Sequence, residues 1–184
     1  MDKKWDVYFL KICKAVGGNS KCLSRQIGAI LVKDKSIIST GYCGPPRKVS
    51  HCSERYKNDS NLIKEINEKL NSGQIKNIDT SICPRQTLGY KSGKGLHLCN
   101  SGHAERNVLI NAARNGICTM GTVMYMDCGI PCGDCLIEII NSGVETIVCT
   151  KLIYYDVKSE YLHKQSKIKI RCFECLKIDN NEKY

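Results

Sequence analysis

No stretch of this 184-residue sequence stays apolar for the roughly 20 residues that a membrane-spanning helix needs. The first residues, Met1-Asp2-Lys3-Lys4-Trp5, also lack the apolar segment of a signal peptide, so a soluble cytoplasmic protein is expected. Internal repeats and low-complexity tracts are missing, which argues against a repeat architecture. Aromatic residues are few: one Trp and two Phe beside nine Tyr. Proteins that track single-stranded nucleic acid stack bases on aromatic side chains between basic ones, so nucleic acid is disfavoured as a partner. The net charge of +10 would suit a nucleotide phosphate, but the lysines from Lys64 to Lys76 are scattered among Asn and Ile. They read as a solvated surface.

What the chain has in abundance is cysteine, 13 in all. A chain of this length can bury a core as a single domain without covalent staples. In the expected reducing compartment the cysteines read as free thiols and metal ligands rather than disulfides. Two short stretches, His103-Ala104-Glu105 and Pro131-Cys132-Gly133-Asp134-Cys135, carry the chemistry. A catalytic zinc takes three N or S ligands, keeps one position open, and needs a proton carrier nearby. His103, Cys132 and Cys135 supply the donors. If Cys135 opens a helix, both sulfurs reach one ion from its first turn, where the helix dipole favours thiolate. Glu105 lies close enough to touch the reacting water without binding the metal. An H-x-E followed by P-C-x-x-C is the pattern of zinc deaminases, in which water attacks an amine-bearing ring carbon.

Taken in order, apolar residues at Trp5, Tyr8, Phe9, Ile12, Ala15 and Val16 predict a packing helix over 4–16, ended by Gly17-Gly18. Ile27 to Val32 and Ile37 to Tyr42 predict two strands of a hairpin, and Gly44-Pro45-Pro46 breaks the pattern. From Arg47 to Gly102 only Leu62, Ile66 and Leu70 show periodicity, a polar helix within a long irregular insert. Helices are expected at Ala104 to Ala113, Leu136 to Ile140 and Tyr155 to Lys164, and strands at Thr122 to Met126, Thr146 to Thr150 and Lys167 to Cys172. This order implies an α/β fold with a mixed five-stranded sheet and helices on both faces. The tail 179–184 is polar and expected to fray. Cys13, Cys118 and Cys149 fall in apolar surroundings and read as core.

The punctuation of these elements resembles the deoxycytidylate (dCMP) deaminase family. The resemblance rests on Ser24-Arg25-Gln26-Ile27-Gly28-Ala29, Ile37 to Tyr42, Gly44-Pro45-Pro46, His103 to Asn107, Pro131 to Cys135 and Ile139 to Gly143, and covers Trp5 to about Asp156. It implies the three-layer α-β-α cytidine-deaminase-like fold, as one CMP/dCMP-type deaminase domain over 1–178 with a zinc-tethered insert at about 47–100. It implies catalytic zinc on His103, Cys132 and Cys135, with Glu105 as proton shuttle. Arg25 would meet the substrate phosphate, and the Ala104 backbone and carbonyls near Ile130 would hold the base edge. The implied reaction is hydrolysis of dCMP to dUMP and ammonia. Relatives assemble as dimers or hexamers and respond to dCTP and dTTP; Arg114 and the Gly41 to Pro46 turn fall at positions linked to that regulation.

Two positions depart from the family pattern. Cys43 stands where an asparagine is usual, and a thiol is a poor substitute for an amide; it reads as a sugar contact, a metal ligand or a small core residue. Asp127-Cys128-Gly129-Ile130 replaces small polar residues on one wall of the base pocket. The resemblance also implies a second, structural zinc drawn from Cys22, His51, Cys52, Cys83, His97 and Cys99. Our ordering takes Cys22, His51, Cys83 and Cys99, with Cys52 in reserve. Cys172 and Cys175 form a lone C-x-x-C open to metal, disulfide or no role. Two rival functions share the zinc motifs: deamination of cytosine or adenine in tRNA or single-stranded DNA, and a non-catalytic zinc-containing nucleotide sensor.

Overall fold

A computed structural model of the chain describes residues 3–91 and 93–173. Cys175 and the tail 179–184 lie outside the described residues. In chain order the elements are α1 (Lys3–Gly17), β1 (Gly28–Lys33), β2 (Ser36–Tyr42), α2 (Cys52–Asn58), α3 (Ser60–Asn71), α4 (Pro84–Thr87), α5 (Ala104–Arg114), β3 (Val123–Met126), α6 (Gly133–Asn141), β4 (Thr146–Cys149), α7 (Val157–Gln165) and β5 (Lys169–Cys172). The described residues fall into two compact units, one of 3–19, 27–42 and 103–173 and one of 20–26 and 43–102.

The first unit contains the mixed five-stranded sheet, in the order β2-β1-β3-β4-β5. Strand β1 runs antiparallel to β2 and β3, whereas β3, β4 and β5 are parallel. β1 reads as an unbroken apolar run because helices cover both of its faces. Ile30 and Val32 join Phe9, Leu10, Tyr125 and Val148 under α1. Ala29 and Leu31 join Met124, Met126 and Ile147 beneath Val108, Ala112, Leu136 and Ile139 of α5 and α6. The result is three layers, α-β-α. The hairpin between β1 and β2 turns on Asp34 and Lys35, both at positive φ, 48° and 62°.

Two features place α5 and α1 on the sheet. Its Asn107 and Asn111 side-chain amides donate to the carbonyls of Tyr42 and Thr40, each at 2.8 Å. Among the described residues β2 is an edge strand, so these bonds occupy carbonyls on an otherwise open edge. On the other side of the sheet, Gly28 meets α1 so closely that a Cβ there would collide with the Cys13 carbonyl and stand 2.6 Å from the Gly17 nitrogen.

The second unit is more helical than the sequence predicts. Besides α3, it contains α2, α4 and a short 3-10 turn at Leu96–Leu98. α2 has seven residues, too few for a periodic apolar face, and is set by the Glu54 carboxylate accepting from the His51 N–H at 2.8 Å. α4 starts on Pro84, whose fixed φ suits a first helical turn. Leu62, Ile66, Leu88 and Leu98 form this unit's own apolar cluster. Among the cysteines expected in a core, Cys13 and Cys149 are buried but Cys118 is exposed, because it falls in the connection after α5 rather than on an element.

Candidate metal centre and active site

Two helix starts converge at the centre. His103 is the extended residue before α5, with φ −70° and ψ 152°, and Glu105 lies in that helix's first turn. Cys132 holds the equivalent place before α6, with φ −65° and ψ 159°. This corrects the expectation that Cys135 opens the helix: α6 begins at Gly133, and Cys135 is its third residue. The reason is that Cys132 itself takes the extended backbone of the residue before a helix, so the first turn starts at Gly133. Both sulfurs still sit at the helix start, where the dipole favours anions.

The His103 Nδ1 atom lies 3.2 Å from Cys135 Sγ and 3.5 Å from Cys132 Sγ. All three donor atoms fall within 4.8 Å of one another, and this is the one such cluster among the described residues. Tetrahedral zinc, with bonds of about 2.0–2.3 Å to N and S, needs donors spaced at roughly 3.5 Å. The donor set therefore fits zinc and leaves a fourth position open.

The electrostatics agree. Cys132 is pushed down to about 4, first by a hydrogen bond from the Cys135 thiol and then by His103. Cys135 is pushed up by the same hydrogen bond and by burial, so the metal-free pair shares a proton. The His103 imidazole is raised by its contact with Cys132. Glu105 is 6% exposed, and its burial raises the carboxyl, the direction a neutral-pH proton carrier requires. Arg106 of α5 pairs with Glu138 of α6 at 3.0 Å, tying the two helices together. Arg106 lies within the His103 to Asn107 motif, but the sequence reading gave it no role.

The remaining candidates are distributed as follows. Ala104 is buried in the first turn of α5, and Arg114 is exposed in its last. In the second unit Arg25 is exposed and Cys43 is buried, its Sγ donating to the Arg25 carbonyl at 2.6 Å. Cys22 is pushed down to about 5, chiefly by its side-chain contact with Cys43. Cys83 is pushed down to about 5 by a hydrogen bond from Cys52, which the same contact raises. Cys52 also feels the charge of Cys22. His51 precedes Cys52, and its Nδ1 is buried without a partner. Cys99 is exposed, and His97, also exposed, lies 3.5 Å from Glu65.

A three-layer α-β-α sheet carrying one imidazole, two thiols and a buried glutamate at converging helix starts defines a cytidine-deaminase-like zinc protein. The sequence model of the cytidine and deoxycytidylate deaminase zinc-binding region matches residues 3–151. The chain belongs to this family. It is 28% identical over 173 residues to the deoxycytidylate deaminase of Saccharomyces cerevisiae, covering 94% of this chain and 46% of that one. The deoxycytidylate deaminase of Enterobacteria phage T4 is 31% identical over 143 residues, 76% of this chain and 74% of the relative. This chain thus spans less than half of the yeast relative but most of the phage one. Its fold is that of the cyanophage S-TIM5 dCMP deaminase, solved in complex with dCMP and dUMP, at TM-score 0.63 and 18% identity over 94% of this chain and 98% of that one.

Proposed function

We propose that this chain hydrolyses the exocyclic amine of dCMP, giving dUMP and ammonia. The observation that carries the reading is the His103, Cys132 and Cys135 donor triangle beside the buried Glu105 carboxyl, which burial makes a stronger base. The relatives named deoxycytidylate deaminase point to the substrate. His103, Cys132 and Cys135 hold the zinc, which when bound supplies Lewis acidity to the reacting water. Glu105 accepts the proton that this water loses as its oxygen bonds to C4 of cytosine. It delivers that proton to N3, then takes the proton of the new C4 hydroxyl and carries it to the exocyclic nitrogen as C4=O forms and the C4–N bond breaks. The backbone around Ala104 is assigned to the base edge, Cys43 to the position beside the sugar, and Arg25, with its permanent charge, to the 5′-phosphate.

A second zinc in the insert is part of the same proposal. The contact of Cys52 with Cys83 and the charge it feels from Cys22 favour Cys22, Cys52 and Cys83, and the unpartnered Nδ1 favours His51 as the fourth ligand. Cys52 thereby moves ahead of Cys99. We assign the protein to the cytoplasm as a homo-oligomer, dimer or hexamer, regulated by dCTP and dTTP, with Arg114 in the regulatory surface. No described helix is long and apolar enough to cross a membrane.

The deciding experiment incubates the zinc-loaded protein with dCMP, CMP, dCTP, deoxycytidine, modified dCMPs and single-stranded DNA and measures ammonia release. Preference for dCMP supports the proposal. Turnover confined to DNA, with a steep loss of affinity in salt, would overturn it.

A further inference from the structure

The start of α6, which carries the two thiol donors, is held from outside by α7. Asp156 is the N-cap of α7, its Oδ1 accepting from the Ser159 N–H at 2.7 Å. Ser159 is fully buried, and its hydroxyl donates to the Asp156 carbonyl at 2.8 Å. The other carboxylate oxygen, Oδ2, accepts from the Gly133 N–H at 3.2 Å. Gly133 is the first residue of α6 and lies directly after Cys132. One carboxylate therefore joins the positive ends of two helices. Lys158 closes over the same turn: its Nζ lies 2.5 Å from Asp134 Oδ1, and a Cβ on Gly133 would stand 2.6 Å from its Cγ and Cδ.

Capping α7 needs only one side-chain oxygen, which serine or asparagine supplies about as well as aspartate. The second oxygen answers a different need. Glycine is the most conformationally free residue, and here it sits inside the turn that must present two sulfurs to one ion. Its N–H is also one of the unsatisfied amides of a helix start. A carboxylate on that amide fixes the turn.

We propose that Asp156 is a positioning residue of the zinc centre, acting through the Gly133 amide to hold Cys132 and Cys135 in the ligating arrangement and to slow loss of the ion. This rests on the reading of His103, Cys132 and Cys135 as the zinc ligands, and the test separates the two. Partners of this kind, once removed, typically cost about 10–100-fold in metal affinity.

The test uses the zinc-loaded full chain, with zinc release followed by an excess of chromogenic chelator. The release phase that disappears in Cys135→Ala belongs to this centre. Asp156→Ser keeps an oxygen for the Ser159 amide but gives up the Gly133 bond, and Asp156→Asn sets an amide donor against Gly133. Both are expected to speed that phase by about 10–100-fold, with the melting temperature of the metal-free Asp156→Ser protein nearly unchanged. Ser159→Ala, which weakens only the cap, should leave the phase as it is. Equal acceleration by Ser159→Ala, or no change in either Asp156 variant, overturns the proposal alone. If no release phase depends on Cys135, the zinc reading fails and the proposal falls with it.

Discussion

Gly41 on β2 and Val108 on α5 pack backbone against backbone: a Cβ at Gly41 would overlap the Val108 nitrogen and stand 2.7 Å from its Cα and 2.8 Å from the Ala104 carbonyl oxygen. The contact sets how deeply the first turns of α5 rest on the sheet, and so where His103 and Glu105 stand. Backbone cannot swing aside as a side chain can. Gly41→Ala is therefore expected to destabilise the protein by at least about 1–3 kcal/mol, lowering the melting temperature by about 2–4 °C per kcal/mol. Zinc content per folded chain should fall with it. Thermal denaturation and metal analysis of the purified variant check both.

Removing a donor tests the metal centre directly. Cys135 is fully buried, and Cys135→Ala leaves His103 and Cys132 as a two-donor site open to solvent on one side. Zinc needs a third ligand for tight binding. The expected outcome is loss of one zinc per chain and of deaminase activity, measured by metal analysis and ammonia release. With the insert's zinc in place, the variant should still hold one equivalent. Cys52→Ser or Cys83→Ser should give the converse, one equivalent with the catalytic zinc retained.

Glu105→Gln separates chemistry from metal binding. The amide keeps the shape but cannot carry protons, so turnover should fall by about 100–10,000-fold while zinc stays bound. Stability should move the other way. Burial raises the folded-state carboxyl above its unfolded value, so the native state binds the extra proton. Relative stability from this group is present below the unfolded pKa and is lost as pH rises toward the folded one. In metal-free protein, Glu105→Gln should thus melt higher than the parent at neutral pH, and the gap should close on acidification. A Gln variant that melts lower at pH 7 would show that the carboxylate is stabilised where it lies.

Sequence and structure meet most closely where one periodicity runs long enough to be read. The 15 residues of α1, the branched strands β1 and β2, and α5 all carry such patterns. α2 and α4 do not, because seven and four residues cannot display a helical face. The zinc donors were legible as motifs, since chemistry fixes both residue type and spacing. Their exact place on α6 was not, because a helix start can shift by a residue or two without any change of motif. Cys118 misled: apolar neighbours in sequence do not bury a residue that falls in a connection. Asp156 left no motif at all, since an aspartate before a helix looks the same whether it holds one amide or two.

The far face of the sheet offers a control that should leave the zinc untouched. Asp6 of α1 has a side chain 1% exposed, and it accepts from Arg171 Nη1 at 2.7 Å and from the Tyr125 hydroxyl at 2.7 Å. A buried carboxylate stripped of its cation is costly, on the order of 3–5 kcal/mol when the pair is fully desolvated. Arg171 is about a third exposed, so solvent screens part of this, and Arg171→Met should cost about 2 kcal/mol. Tyr125→Phe removes a hydroxyl donor from the same carboxylate and should cost about 1–3 kcal/mol. Because both act on one acceptor, the double variant should depart from the sum of the two, measurable by denaturant titration of all four proteins. Zinc content per folded chain should stay constant throughout, for the network lies under α1 whereas the donors ride on α5 and α6.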